Sequence, residues 1–394
     1  MNTIPRGFPQ PDDDCLALST ALRKQIITQI QLAGGMIPFD RYMEMALYEP
    51  ELGYYNNDLR KFGSQGDFIT APETSALFGR CIAHAILPVL NEIEQPDILE
   101  FGPGSGVLAV DILCQLEKQG KLPTRYLILE RSTALRQRQH ERFARDIPHL
   151  LERITWLDSL PAKKICGVII ANEVMDALSV KRFIWKNQQA VELGVGVTDN
   201  GEFTFQTMPE TDTTMQDALQ KITRRTQWCE NYQSEWSPLL KPWIQSIADC
   251  LDQGTALLID YGSVQSEHYH AQRQSGSLMC HYRHHAHADP FILPGLQDIT
   301  AYVDFTAVAN AADSAGLQVS GFTTQTHFLL TNDLETFMAE IDSSDQQAFF
   351  KRVTECKTLT MPGEMGERFK TISLTKNCQQ APQGFASQDL RGRL

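Results

Sequence analysis

The sequence predicts an α/β fold: a Rossmann-like sheet with an N-terminal helical extension and an inserted substrate-side subdomain. Three observations carry this expectation. From about residue 97, short apolar runs alternate with helical-period segments, the pattern of βαβ units on a parallel sheet. The run Ile98-Leu99-Glu100-Phe101-Gly102-Pro103-Gly104-Ser105-Gly106 is an acidic-tipped strand entering a glycine turn, with a helix-like stretch directly behind it. Residues 181-207 then break the alternation with hairpin-like strands around Thr198-Asp199-Asn200-Gly201, the mark of inserted material.

Taken in order, residues 15-33 carry helical periodicity (Leu16, Leu18, Leu22, Ile26, Ile27, Ile30) and stop at Gly34-Gly35. A short helix over 39-48 is closed by Glu49-Pro50. The glycine-, aromatic- and asparagine-rich stretch through residue 70 reads as an ordered, functional loop, because loops this long in compact domains usually serve function. A helix over 73-93 follows Pro72. Strand 97-101 leads to a helix at 105-119, and strand 125-130 leads to a helix at 133-145 capped by Ser132 or Thr133. Further strands are expected at 153-157, 166-171 and 254-260, with helices at 213-224 and 235-252 between the last two. A polar, histidine-rich excursion fills 263-300. A helix at 304-315, a strand near 317-330 and a helix at 332-356 complete the reading.

Composition bounds the function. At 394 residues the chain exceeds the usual size of a single core. A formal net charge of -13 argues against a nucleic-acid binder or an anionic-membrane binder and suits a cationic substrate. The nine cysteines form no C-x-x-C pair and read as reduced thiols of a cytosol-like compartment. Met1-Asn2-Thr3-Ile4-Pro5, followed by Asp12-Asp13-Asp14, resembles neither a signal core nor an Arg-rich transit segment. No apolar run reaches membrane-spanning length. The expectation is a cytoplasmic protein without membrane insertion.

The glycine spacing discriminates between ligands. A dinucleotide fingerprint wants its third glycine where Val107 stands, and no Lys-Ser or Lys-Thr follows as in a P-loop. Gly102, Gly104 and Gly106 instead suit S-adenosylmethionine, which has no pyrophosphate to cradle. Ligands gather at the carboxyl ends of such a sheet. There Glu130 can accept from both ribose hydroxyls, and Asp158 from the adenine amino group. Each acid could also serve as a helix N-cap. The fourth strand ends in Ala171-Asn172-Glu173-Val174-Met175-Asp176, whose carboxylates need partners at the mouth of a buried strand. The sulfonium or a cationic acceptor would supply them, and Glu173 with Asp176 could grip a guanidinium fork. The histidines at 268, 270, 281, 284, 285 and 287 lack metal-ligand spacing and read as a substrate-side loop with no metal.

These motifs together resemble one known family. Gly66-Asp67-Phe68-Ile69-Thr70-Ala71-Pro72-Glu73, the glycine turn with Glu100, Ala171–Leu178 and Asp260-Tyr261-Gly262 occur in order. They are followed by Pro294–Thr300, Val303-Asp304-Phe305 and Met365–Lys370. The set resembles the MidA family of S-adenosylmethionine-dependent methyltransferases over about residues 20 to 376. The resemblance implies a class I methyltransferase fold and symmetric ω-N-dimethylation of a protein arginine. Mitochondrial members of that family assist assembly of respiratory complex I, so a complex I-type subunit is one possible target, and a homodimer is also compatible. Carried over by motif, Glu100, Gly102, Gly104 and Gly106 line the cofactor, Glu130 holds the ribose, and Asp67 with Thr70 closes from the N-terminal side. Asn172 and Asp158 complete the cofactor set, and Glu173, Asp176 and Asp67 form the catalytic set. Ser179 departs from the family's usual proline, which touches the local turn rather than the chemistry.

Five stretches are expected: 1-92 closing over the cofactor, 93-185 binding it, 186-252 inserted, 253-376 completing the sheet with loop 263-300, and 377-394 as a flexible tail. Alternatives stay open at this stage. They are a cofactor-binding assembly chaperone without turnover and a small-molecule methyltransferase; a nicotinamide dehydrogenase is disfavoured by the glycine spacing.

Overall fold

The strands Ile165–Asn172 and Leu251–Ser263 each carry a continuous apolar run at their centre, Val168–Ala171 and Ala256–Ile259, buried on both faces. They pair in parallel at the centre of an eight-stranded sheet. In this computed structural model, residues 4, 7–57, 70–223, 226–340 and 345–394 are described. They fall into two compact units. The unit holding the sheet spans Ile69–Met175, Lys241–Val264 and Val303–Leu394.

Its strands are β1 (Asp97–Phe101), β2 (Arg125–Leu129), β3 (Ile154–Leu157), β4 (Ile165–Asn172), β5 (Leu251–Ser263), β6 (Gln318–Thr324) and β7 (Phe369–Lys376). Their spatial order is β6-β7-β5-β4-β1-β2-β3, with the two-residue strand Val303–Asp304 beside β5. β7 runs antiparallel to both β5 and β6, and the pairs from β5 through to β3 are parallel. This is the class I methyltransferase fold. Helices α1 (Val107–Lys118) and α2 (Thr133–Asp146) are the crossovers after β1 and β2. Leu108, Ile112 and Leu116 of α1 bury one helical stripe against Phe78, Ile82 and Ile86 of the long helix Ala76–Glu92. Ile98, Val168, Ile170 and Leu257 join the same core from the sheet.

The other unit comprises Met1–Phe68, Asp176–Leu240 and Gln265–Tyr302. It holds a five-stranded sheet, with Met36–Pro38, Gln189–Val197, Lys181–Lys186 and Gln233–Trp236 in order and Phe203–Thr207 on Gln189–Val197. Met279–Tyr282 is the centre of a separate three-stranded sheet between His285–His287 and Asp298–Thr300. Helices Asp13–Leu32 and Phe39–Tyr48 pack Leu22, Ile26, Tyr42 and Met43 onto Val195, Phe203 and Ile299.

Several expected elements are corrected. The helix expected at 235-252 begins only at Leu240, because Gln233–Trp236 is a strand paired with Lys181–Ile184. The strand expected over 317-330 stops at Thr324, whose hydroxyl accepts from His327 N–H and starts a helix over Gln325–Thr331. The helix at 332-356 is two helices, Leu334–Ala339 and Gln346–Thr360. The helix at 73-93 divides at Ser75, whose hydroxyl caps the second part. The excursion 263-300 is no loose loop: it carries the small sheet, and Cys280, Asp298 and Ile299 within it are buried. Periodicity missed β7 altogether. At Ser179, the departure from proline, the hydroxyl donates to Glu44 at 3.2 Å.

Candidate active site at the strand ends

The strand order reverses between β1 and β4, the place where open α/β sheets bind ligands beyond their carboxyl ends. The turn after β1 is left-handed at all three glycines, with φ of 56° at Gly102, 55° at Gly104 and 81° at Gly106. Any side chain would be strained there. At Gly106 a Cβ would also lie 2.9 Å from the Phe143 ring. Gly102 N–H donates to Leu129 O at 3.0 Å and Gly106 N–H to Pro103 O at 2.9 Å, so the turn is tied to β2 and to itself.

Glu100 sits beneath the turn rather than in it. It is buried and accepts from Tyr126 Oη at 2.7 Å. Burial pushes its pKa up to about 7; the Tyr126 hydrogen bond pulls down and the neighbouring charge of Glu130 pushes up. Glu130, just past β2, accepts from Ser132 N–H at 2.8 Å and from Gln139 Nε2 at 3.3 Å. Burial raises its pKa, against the lowering effect of those two hydrogen bonds. Asp158, past β3, has its side chain 93% exposed and pairs with Arg136 Nη1 at 2.7 Å. Arg136 also donates to Glu130 O and Leu157 O, each at 2.6 Å, and so joins the ends of β2 and β3.

At the mouth of β4, Glu173 adopts φ of 54°, a conformation a non-glycine residue holds only at a cost of order 1–2 kcal/mol. Its N–H donates to Ile259 O at 2.9 Å. The fully buried Asp260 takes the next two amides on one oxygen, Val174 at 3.2 Å and Met175 at 2.9 Å. Its other oxygen accepts from Tyr261 N–H at 2.9 Å. Asn172 Nδ2 donates to Glu173 Oε1 at 3.1 Å, while Asn172 Oδ1 is buried with no partner among the described residues. Val174 Cγ2 comes within 3.5 Å of where a Cβ on Gly102 would stand, which brings the β4 mouth against the glycine turn.

Thr70 is the N-cap residue of the turn of helix Ala71–Thr74, and its carbonyl accepts from Thr74 N–H at 3.0 Å. Glu73 in that helix accepts from the Ser105 hydroxyl, so this segment touches the glycine turn. Asp67 lies outside the described residues. Asp176 belongs to the other compact unit, where it is buried and its carbonyl accepts from Ala301 N–H at 3.0 Å. The histidines of that unit are spread over the short helix Gln265–His268 and the turn after it, the strands Met279–Tyr282 and His285–His287, and the tight turn between those strands. Burial lowers the pKa of His281 and His287. Among the described residues no group of three or more His, Cys, Asp or Glu could hold a metal ion. No helix among them is long and apolar enough to cross a membrane.

Sequence reasoning missed Arg136 and Gln139, and placed Asp260 in its motif without seeing that it would clamp the backbone after β4. Asp260 left a signal, an acid ending a long apolar run. Arg136 and Gln139 left only an i, i+3 spacing on a polar helix, which many solvated helices share.

A glycine turn without Cβ atoms beside an orphaned buried amide oxygen fits a nucleoside-bearing ligand such as S-adenosyl-L-methionine. A family model for S-adenosyl-L-methionine-dependent methyltransferases matches residues 81–323, well over half the chain. The chain belongs to that family. A crystal structure of a superfamily member from Burkholderia thailandensis bound to S-adenosyl-homocysteine is 39% identical, with a TM-score of 0.94. The match covers 98% of this chain and 100% of that one. The Drosophila melanogaster homologue of the mitochondrial protein arginine methyltransferase NDUFAF7 is 28% identical, over 94% of this chain and 88% of that protein. The human NDUFAF7 protein is 24% identical, over 86% and 80%. The methyltransferase family read from the motifs is thus borne out, and S-adenosyl-L-methionine is the methyl donor.

Proposed function

We propose that this methyltransferase acts on a guanidinium nitrogen of an arginine in a protein substrate. The observation that carries this reading is the near full-length similarity to mitochondrial protein arginine methyltransferases. On this reading Gly102, Gly104 and Gly106 pass beneath the cofactor, Glu130 takes its ribose hydroxyls, and Asn172 offers its orphaned oxygen. Thr70, Asp67 and Asp158 complete the cofactor side, while Glu100, sealed beneath the turn with Tyr126, supports it from below. When bound, the cofactor supplies a methyl group on a sulfonium sulfur, ready for in-line attack.

The chain's own task is to orient the acceptor. A guanidinium, with a pKa above about 12, stays charged and holds little free lone-pair density, so charge and alignment must favour attack. Glu173 is suited to that work. Its strained backbone and its hydrogen bond from Asn172 hold it at the strand end, and Asp176 is a catalytic candidate by the motif resemblance alone. A net charge of -13 favours a cationic protein segment over an acidic one. The motif resemblance adds finer expectations of symmetric dimethylation and a respiratory-complex target.

Mass spectrometry of arginine methylation in wild-type and deletion cells tests the reading. Loss of methylarginine from one or a few proteins, restored by the wild-type chain and not by Glu173→Gln, is expected. Unchanged arginine methylation, with turnover on a small-molecule acceptor instead, would overturn it.

A further inference from the structure

We infer that Gln139 is a positioning residue for cofactor binding: its side-chain amide holds the glycine turn and the Glu130 carboxylate in one fixed relation. The inference rests on the reading of Glu130 as the ribose acceptor and goes beyond it. Gln139 lies fully buried on α2, one turn after Arg136. Its Nε2 donates to Gly104 O at 2.8 Å and to Glu130 Oε2 at 3.3 Å. Its Oε1 accepts from Trp156 Nε1 at 2.9 Å. An indole N–H can only donate, so Trp156 decides which way the amide faces and commits both hydrogens of the nitrogen to the turn and the carboxylate. One side chain thereby joins the ends of β1, β2 and β3.

The geometry explains two features that otherwise stand apart. Gly104 is left-handed, and its carbonyl is held from the side of α2 by the amide. Glu130 carries one oxygen on Ser132 N–H and the other on Gln139, which fixes the plane of the carboxylate before any ligand arrives. A carboxylate held in plane presents its outer lone pairs to a vicinal diol in a single orientation, and this preorganisation lowers the ordering cost of binding. Removing the amide leaves Gly104 O and Glu130 Oε2 each short of a donor inside the protein.

Calorimetric titration with S-adenosyl-L-homocysteine between pH 5.5 and 8.5 tests this without turnover. Gln139→Leu is expected to weaken binding about ten- to a hundredfold at pH 8, from the loss of a donor shared by two buried acceptors. It should also move the acid limb of the binding profile upward, because Gln139 helps to hold Glu130 ionised. Loss of packing alone would lower affinity without moving that limb. Trp156→Phe, which keeps the ring and frees the amide to turn, is expected to shift the limb in the same direction by a smaller amount. It serves if Gln139→Leu does not fold. Glu130→Gln runs in parallel. If it weakens binding while both other variants match wild type in affinity and pH profile, the role of Gln139 is overturned. If Glu130→Gln itself leaves binding unchanged, the ribose reading has failed and the inference falls with it.

Discussion

Glu173 and Glu100 show how differently two carboxylates at neighbouring strand ends behave, one past β4 and one within β1. Glu173 is half-buried at a strained backbone position and hydrogen-bonded to Asn172, while Glu100 is sealed beneath the turn with Tyr126. Glu173→Gln keeps the shape and removes the charge. It is expected to lower kcat by roughly a hundredfold, the size of a lost electrostatic contact in a closed site, while the affinity for S-adenosyl-L-homocysteine stays within about twofold. Steady-state kinetics with calorimetry would check it, and an unchanged rate would remove Glu173 from the acceptor site. Glu100 makes a pH prediction about stability. Its pKa in the folded chain, about 7, lies above the ordinary 4.5, so the folded state binds the proton more tightly. Its contribution is present below pH 4.5 and is lost as pH rises toward 7. A shift of this size corresponds to about 3 kcal/mol. Glu100→Gln, still able to accept from Tyr126, should therefore melt like wild type at pH 5 and several degrees higher at pH 8.

At the scale of elements, the glycine turn and the β4 mouth are two strained loops pressed together. The turn tolerates its three left-handed residues because they are glycines, and the mouth tolerates Glu173 because Asp260 secures the following amides. Gly104→Val puts a β-branched side chain at φ of 55°, where it is strained by about 1–2 kcal/mol and, on the proposed reading, would stand where the cofactor passes. The core of β1, β4 and β5 does not pass through this residue. Cofactor binding should be abolished while circular dichroism and the cooperativity of melting remain near wild type; retained binding would move the cofactor away from the turn. The sequence made this turn legible because its three glycines sit at alternate positions directly after an apolar strand, within one short stretch of chain. The Asp260 clamp was harder to see. A lone acid ending a strand is common, and its amide partners on a different strand are fixed only by the β4–β5 pairing.

For the whole molecule, the decisive quantity is charge. With a net charge of -13, a basic peptide is drawn toward the chain, and salt screens that attraction over a Debye length of about 8–10 Å at physiological strength. Raising salt from about 50 to 500 mM should increase KM for a peptide carrying arginine among other basic residues by several-fold, with kcat nearly constant. A neutral-flanked peptide should show a much smaller change. Equal salt responses for the two peptides would separate the overall charge from substrate recognition.

The sequence by itself determined the parallel half of the large sheet, the glycine turn and the identity of the ligand class. Those features are local: period, apolar run length and glycine spacing are written along short stretches of chain. Only the tertiary structure decided that β7 joins the sheet antiparallel, that Gln233–Trp236 is a strand and that residues 279–300 fold into a small sheet. It also placed Gln139 across three strand ends. For β7 and Gln233–Trp236 the pairing strands lie about fifty residues away or more, so a segment's own neighbours carry no trace of them. For the small sheet and Gln139 the partners are nearer, but the pairing is still set by where other strands end rather than by local period.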